Sequence, residues 1–271
     1  IHEAHSINDL KDIVGTHLDG RKQAYLIQGL NSTLDEIVSS AVDINSVDPT
    51  LILDEMRVCK SDREIQLMRK SADIASAAHV AAIRKGYGGI GEWQIQSVIE
   101  AHFTASKSRW SYPPIVGGGD NATILHYNSN EGVITDGELV LVDAGCEVEG
   151  YASDITRTWP VSGRFSDSQK EIYELVLTAE IAGIRACKVG SPWNVMHHAT
   201  SRVLAQGLID LGILDCSLGD ALGDDFDGPY RNFFMHGTGH MLGLDVHDVG
   251  GGRQGDDGNE ISQRELEAGM V

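Results

Sequence analysis

Two aspartates, Asp143 and Asp154, and three histidines, His236, His240 and His247, are the residues whose types and spacing could carry chemistry in this chain. Asp143 ends the apolar run Leu-Val-Leu-Val, and Asp154 lies in Tyr-Ala-Ser-Asp-Ile-Thr-Arg-Thr just beyond a turn. If that turn falls at Val148-Glu149, the two carboxylates face each other directly on one side of a hairpin, with Cβ atoms ~5 Å apart. Two like charges so close cannot both stay ionised without a cation or a shared proton. The competing reading is a solvated turn aspartate, because Val148-Glu149 is not a favoured turn pair and the register could slip.

The histidines fall in Met-His236-Gly-Thr-Gly-His240-Met-Leu-Gly-Leu-Asp-Val-His247-Asp. The spacing of four between the first two is that of a zincin helix, but no Glu follows His236, and Gly237 and Gly239 make a helix poor. An extended chain fits better: His236, Thr238 and His240 would share one face of a strand, with the glycines leaving room for close approach. A lone histidine is most often a hydrogen-bonded core residue, whereas three so close together point to a site. Aspartates and a histidine are mostly hard ligands that suit manganese, cobalt or zinc in a hydrolytic site better than a closed structural zinc. Two metals could share one carboxylate and hold a hydroxide at neutral pH, so no side-chain nucleophile is needed. Gly-x-Ser-x-Gly is absent, Cys146 reads as a strand-end filler, and His197-His198, mid-helix without acidic neighbours, read as packing residues.

The elements that must position these residues are partly legible. Ser61-Asp-Arg-Glu64 and Ser166-Asp-Ser-Gln169 are capping boxes, each opening a helix, the first running to Gly86 and the second to about Lys188. A helix from about Glu92 to Ser106 follows the first, and Ser191-Pro192 predicts an N-cap and N1 proline for one ending near Gly212. Glu138–Asp143 reads as a strand buried on both faces, Tyr151–Val161 as its return, 218–228 as a Gly/Asp-rich loop and Phe233–Val249 as strand. Two helices then strands, twice over, predict a pseudo-repeat of α+β halves. Residues 1–60 stand outside the repeat and read as the remnant of a preceding α/β domain, with residues 61–271 the main domain.

Composition bounds the partners. With 21 Lys plus Arg against 40 Asp plus Glu, the net charge of −19 disfavours nucleic acid and anionic lipid surfaces. Four cysteines without a CxxC pair predict reduced thiols in a cytoplasmic protein, and no apolar run approaches the ~18 residues of a membrane span.

Asp143 in Val-Asp-Ala-Gly, Asp154 in Ser-Asp-Ile-Thr-Arg-Thr, His126 in Ile-Leu-His-Tyr-Asn, and the run His236 to Asp248 together resemble the proline-specific M24 metallopeptidases, most of all bacterial-type aminopeptidase P. The resemblance runs from about residue 52 to the end. It implies a pita-bread fold with pseudo-twofold halves, two divalent ions, Mn2+ before Co2+ or Zn2+, and a hydroxide bridging them. It also implies peptide substrates with proline second, and a homo-oligomer in the full-length parent. Residue by residue, it makes Asp143 a ligand of one metal, Asp154 the bridge and His240 a ligand of the other. His126, His236 and His247 line the substrate pocket, with His247 donating to the developing oxyanion. The family's two further glutamates are absent; Leu266-Glu-Ala-Gly-Met-Val271 matches the run-in to the first, so the expectation is truncation at both ends and weak metal binding or inactivity of the piece alone. Prolidase, acting on the same site, is the nearest enzymatic alternative, and a non-catalytic pita-bread binding module is another, against which the three ligands count.

Overall fold

In a computed structural model the structure describes residues 4–27, 29–41, 45–250 and 264–271. The chain divides into two compact units, Ile1–Arg57 and Val58–Val271. In the first, α1 (Leu10–Leu18) precedes β1 (Gln23–Tyr25), α2 (Ser32–Ala41), β2 (Asn45–Val47) and α3 (Thr50–Val58). β1 and β2 pair in parallel, Ala24 opposite Ser46, with α2 as the crossover between them.

The second unit opens with the capping box at Ser61. Its hydroxyl accepts from the Glu64 N–H while Glu64 accepts from the Ser61 N–H, and α4 runs Asp62–Lys85 until Gly86. Besides Met68 and His79, the residues that this helix buries are small: Ser71, Ala75, Ala78 and Ala82. Small side chains let the helix approach the strands closely enough for Ser71 to donate to the Cys146 carbonyl at 2.5 Å. α5 (Glu92–Ala105) adds Ile95, Ile99 and Phe103 to the same core. Against them lies an antiparallel sheet ordered β4 (Ile115–Gly118), β5 (Leu139–Asp143), β8 (Thr156–Pro160), contributing Val116, Val140, Val142 and Trp159. β5 buries alternate residues, Val140 and Val142, rather than both faces.

The hairpin differs from expectation in register. β5 pairs Asp143 with Thr156, not with Asp154, and beyond a break β6 (Cys146–Val148) pairs with β7 (Tyr151–Ala152), Val148 opposite Tyr151. The turn is therefore Glu149-Gly150, at φ of 52° and 88°. Both central residues of such a two-residue turn need positive φ, so it settles where a glycine can take one of the two places. Tyr151–Val161 is also not one strand: it starts as β7 in a second sheet, ordered β3 (Arg109–Trp110), β6, β7, and passes into the first as β8. The hand-over occurs at Gly145, where a Cβ would stand 1.7 Å from the Ser153 carbonyl oxygen.

The second half repeats the helices. α6 (Asp167–Ala186) starts from its capping box at Ser166 and packs on α7 (Val195–Asp210). Ser191-Pro192 does not cap α7, whose N-cap is Asn194; instead Pro192 bridges to Glu265, and Trp193 donates to the Arg264 carbonyl at 2.8 Å. Within 218–228 a short helix α8 (Leu218–Leu222) forms because the Ser217 hydroxyl accepts from the Asp220 N–H. Phe233–Val249 forms no strand among the described residues: its backbone makes local bonds such as Asp248 N–H to the Met241 carbonyl and single bonds to other segments, Ala152 N–H to the Gly243 carbonyl and Leu242 N–H to the Val271 carbonyl, without a continuous ladder.

Gly145→Ala should destabilise the second unit by on the order of 3 kcal/mol or more, since backbone rather than a flexible side chain occupies the new methyl's place. A urea melt checks this, and an unchanged midpoint would mean that the hand-over tolerates a Cβ.

Candidate metal centre

Asp143 closes β5 and Asp154 sits in the gap between β7 and β8, so the break in the hairpin places both carboxylates. They are not directly paired, but Asp154 lies two residues before Thr156, the partner of Asp143, on the same side of the hairpin. The Tyr112 hydroxyl reaches both, in a short contact with Asp143 Oδ1 and at 2.8 Å from Asp154 Oδ1. One phenolic hydrogen cannot serve two carboxylate oxygens, so the three oxygens need a further proton or a cation. Burial pushes the Asp143 carboxyl up despite the Tyr112 hydrogen bond. For Asp154 burial also pushes upward, but the hydrogen bonds from His240 and Tyr112 outweigh it and hold that carboxyl below the ordinary range.

His240 supplies the next contact. Its Nε2 is 3.1 Å from Asp154 Oδ2, so Asp154 gives one oxygen to the Asp143 and Tyr112 side and the other to His240. Nδ1 lies 2.9 Å from the Met241 carbonyl, an acceptor only, which makes Nδ1 the donor. Against a carboxylate, Nε2 must also be protonated, and the Asp154 bond raises the His240 pKa accordingly. The His247 ring stacks on His240 with centroids 3.9 Å apart. Burial and the neighbouring His240 hold His247 below the usual histidine range. His126 sits at φ 56° on an exposed turn. His236 is not drawn in: its ring meets Phe234 edge-on and its carbonyl accepts from Arg231 at 2.9 Å. Thr238 turns to His197 Nδ1 at 2.8 Å, so His236, Thr238 and His240 share no strand face. His197 and His198 stack on Phe234 and Phe226, the packing roles that the sequence predicts.

Several supporting residues escape sequence reasoning. Tyr112 precedes Pro113-Pro114, and that rigid pair was the only local signal that its backbone is held extended. Lys60 forms an ion pair of 3.0 Å with Asp248, next to His247, with side chains only 2% and 1% exposed. Nothing local in Cys-Lys-Ser marks Lys60 as a partner of a residue so distant in sequence.

The donor set fits a divalent cation: two carboxylates too close for their charges and a histidine whose Nε2 proton occupies the place of a cation. Among the described residues no three of His, Cys, Asp and Glu are spaced to close on an ion as they stand. Tyr112 and the His240 proton occupy the positions between the donors, which accounts for that spacing.

Metallopeptidase family M24 matches residues 66–271. The chain belongs to this family. Its M24 sequence is 41% identical over 274 residues to the Xaa-Pro aminopeptidase of Haemophilus influenzae, covering 100% of this chain and 62% of that protein. It superposes on Escherichia coli aminopeptidase P, solved as a variant in complex with substrate, with a TM-score of 0.91 at 36% identity, over 100% of this chain and 62% of that one. The same score, identity and coverage hold for a zinc-substituted E. coli aminopeptidase P in complex with product. The M24 chain thus has the pita-bread fold and spans about three fifths of the length of these relatives.

In the metal-free protein, Tyr112→Phe should raise the Asp143 pKa further, because the hydrogen bond that opposes burial is lost. Carboxyl 13C titration reads this directly; an Asp143 curve that stays in place would remove Tyr112 from the electrostatics of the pair.

Proposed function

We propose that this chain carries three ligands of the two-metal site of an Xaa-Pro aminopeptidase, which releases the N-terminal residue from peptides with proline second. The observation that carries the reading is the division of the Asp154 oxygens, Oδ1 toward the Asp143 side and Oδ2 toward His240. A carboxylate so divided is what a bridge between two ions requires, with Asp143 on one and His240 on the other. When bound, divalent ions, manganese by our reading, polarise the scissile carbonyl and lower the pKa of water. His240 would hold an ion through Nε2 once that nitrogen had given up its proton, while the Met241 carbonyl keeps Nδ1–H and the ring orientation. His247, kept neutral at physiological pH by its lowered pKa, retains an N–H to donate to the oxyanion that forms as the peptide carbonyl is attacked. By the resemblance His126 and His236 line the substrate pocket, with the His236 ring set against Phe234 and away from the Asp154 and His240 contact.

Identity to the Xaa-Pro aminopeptidase of H. influenzae supports this substrate class over other M24 chemistry. The excess of acidic residues and the unpaired spacing of the cysteines support action in the cytoplasm, away from nucleic acid and membranes, and the resemblance extends to a homo-oligomer. No helix among the described residues is long and apolar enough to cross a membrane. The unit Ile1–Arg57 reads as the end of a preceding α/β domain. Cleavage of an Xaa-Pro-Yaa tripeptide by the full-length protein tests the assignment; turnover of Xaa-Pro dipeptides alone would make it a prolidase instead.

The histidine roles separate by mutation in the full-length protein. His240→Ala should lower metal content along with activity. His247→Ala should leave the metals in place and lower kcat by a factor on the order of 10² to 10³, the loss typical of one oxyanion donor. Elemental analysis beside steady-state kinetics decides, and the reverse pattern would exchange the two roles. Asp154→Ala should abolish loading of both ions, and a variant that still holds two would sink the bridge.

A further inference from the structure

The segment joining β4 to β5 carries His126, and both ends of its first half are tied to one buried carboxylate. Glu92, 1% exposed, is the first residue of α5, a place where an acidic side chain usually faces solvent. Its Oε1 accepts from the Gly118 N–H at 2.8 Å and from Asn121 Nδ2 at 3.0 Å. Its Oε2 accepts from the Gly132 N–H at 2.7 Å and from the Tyr127 hydroxyl at 2.8 Å. Asn121 and Tyr127 flank His126 on either side, and Asn121 Nδ2 is also 3.1 Å from the Tyr127 hydroxyl. The approach is tight, since a Cβ on Gly132 would stand 2.9 Å from the Glu92 carboxyl carbon.

A second buried side chain completes the frame. Asn130, 2% exposed, accepts from the Val116 N–H at 2.9 Å and donates to the Pro114 carbonyl at 2.8 Å and to Gln96 at 2.9 Å. Both His126 and Asn130 sit at positive φ, 56° and 52°, a conformation that non-glycine residues hold only when their surroundings impose it. A carboxylate suits the place better than an amide. Two of the four donors are backbone N–H groups on different oxygens, which cannot turn round, so a glutamine would set its own NH2 against one of them in either orientation.

We infer that Glu92 is a positioning residue for the reaction: through Asn121, Tyr127, Gly118 and Gly132 it fixes the segment that carries His126 at the substrate pocket. The inference rests on the reading of His126 as a pocket residue. Glu92→Gln keeps the volume and removes one acceptor, and Tyr127→Phe removes a single anchor next to His126.

In the full-length protein Glu92→Gln should lower kcat/KM for an Xaa-Pro-Yaa tripeptide by a factor on the order of 10 to 10², the size of loss that a small misplacement produces, with metal content unchanged. In a His126→Ala background the same change should add almost nothing, because residues acting through one another are not additive. With 13C-labelled histidines, both Glu92→Gln and Tyr127→Phe should shift or broaden the His126 ring resonance and leave those of His197 and His198 in place. A full additional loss in the His126→Ala background, or a His126 resonance that neither variant moves, would overturn the inference. If Glu92→Gln does not fold, Tyr127→Phe carries both arms. If the unmodified protein fails to cleave the tripeptide, the function assigned above falls, while the resonance arm still decides whether Glu92 sets the place of His126.

Discussion

The close approach of the Ser153 carbonyl to Gly145 is the constraint on which the site depends. A side chain at Gly145 would collide with backbone, at 1.7 Å, so the hairpin can pass from one sheet to the other only where the chain has no Cβ. On one side of that point Ala144 donates to the Ile155 carbonyl, and on the other Ser153 donates to the Cys146 carbonyl. Asp154 falls between these bonds, opposite Gly145, and is left out of both ladders. Its side chain is therefore free to meet Tyr112 and His240, while Asp143 stays fixed by partners on both sides, Ile115 and Thr156. The two carboxyl groups share a small volume yet are driven apart electrostatically, Asp143 up by burial and Asp154 down by its donors. Two carboxyls so close relieve their repulsion by sharing a proton or by holding a cation.

The histidine side is held by different means. No ladder fixes residues 233–250; the run is folded on itself through Gly243 to the Asp245 carbonyl and Asp248 to the Met241 carbonyl. The Lys60 and Asp248 ion pair ties this run to the residues just before α4. Desolvating both charges offsets much of their attraction, so the pair contributes little net stability and its effect is placement.

What was legible in the sequence was local. Ser61 and Ser166 announce helices because a capping box satisfies its donors within four residues, whatever the rest of the chain does. Of the residues singled out by type, His240 reaches Asp154, and Tyr112 joins Asp154 to Asp143. The hairpin register was not legible, because the turn was put on Val148-Glu149 when Gly150, one residue further, takes the φ of 88° that the turn needs. The break at Gly145 was invisible because it depends on a carbonyl eight residues away across a hairpin whose register was itself misjudged. Phe233–Val249 has strand composition, but β structure is a contract between segments, and composition shows only one party. Tyr112 and Glu92 escaped because their meaning lies wholly in which distant groups they reach.

The two sides of the site also differ in how much of the work of binding is already done. Asp143 belongs to a strand with neighbours on both edges, so its carboxylate is held before any ion arrives. As the ligand proposed above, His240 would have to lose the proton that bonds it to Asp154, which would couple cation binding to proton release. Asp154 belongs to both sides: its backbone is set by the hairpin, and its Oδ2 is committed to the histidine loop. Any change that moves the hairpin break moves the one carboxylate that joins them, whereas a change confined to the histidine loop leaves Asp143 and Asp154 in place. The hand-over at Gly145 is consequently the part of the structure with the least freedom to vary.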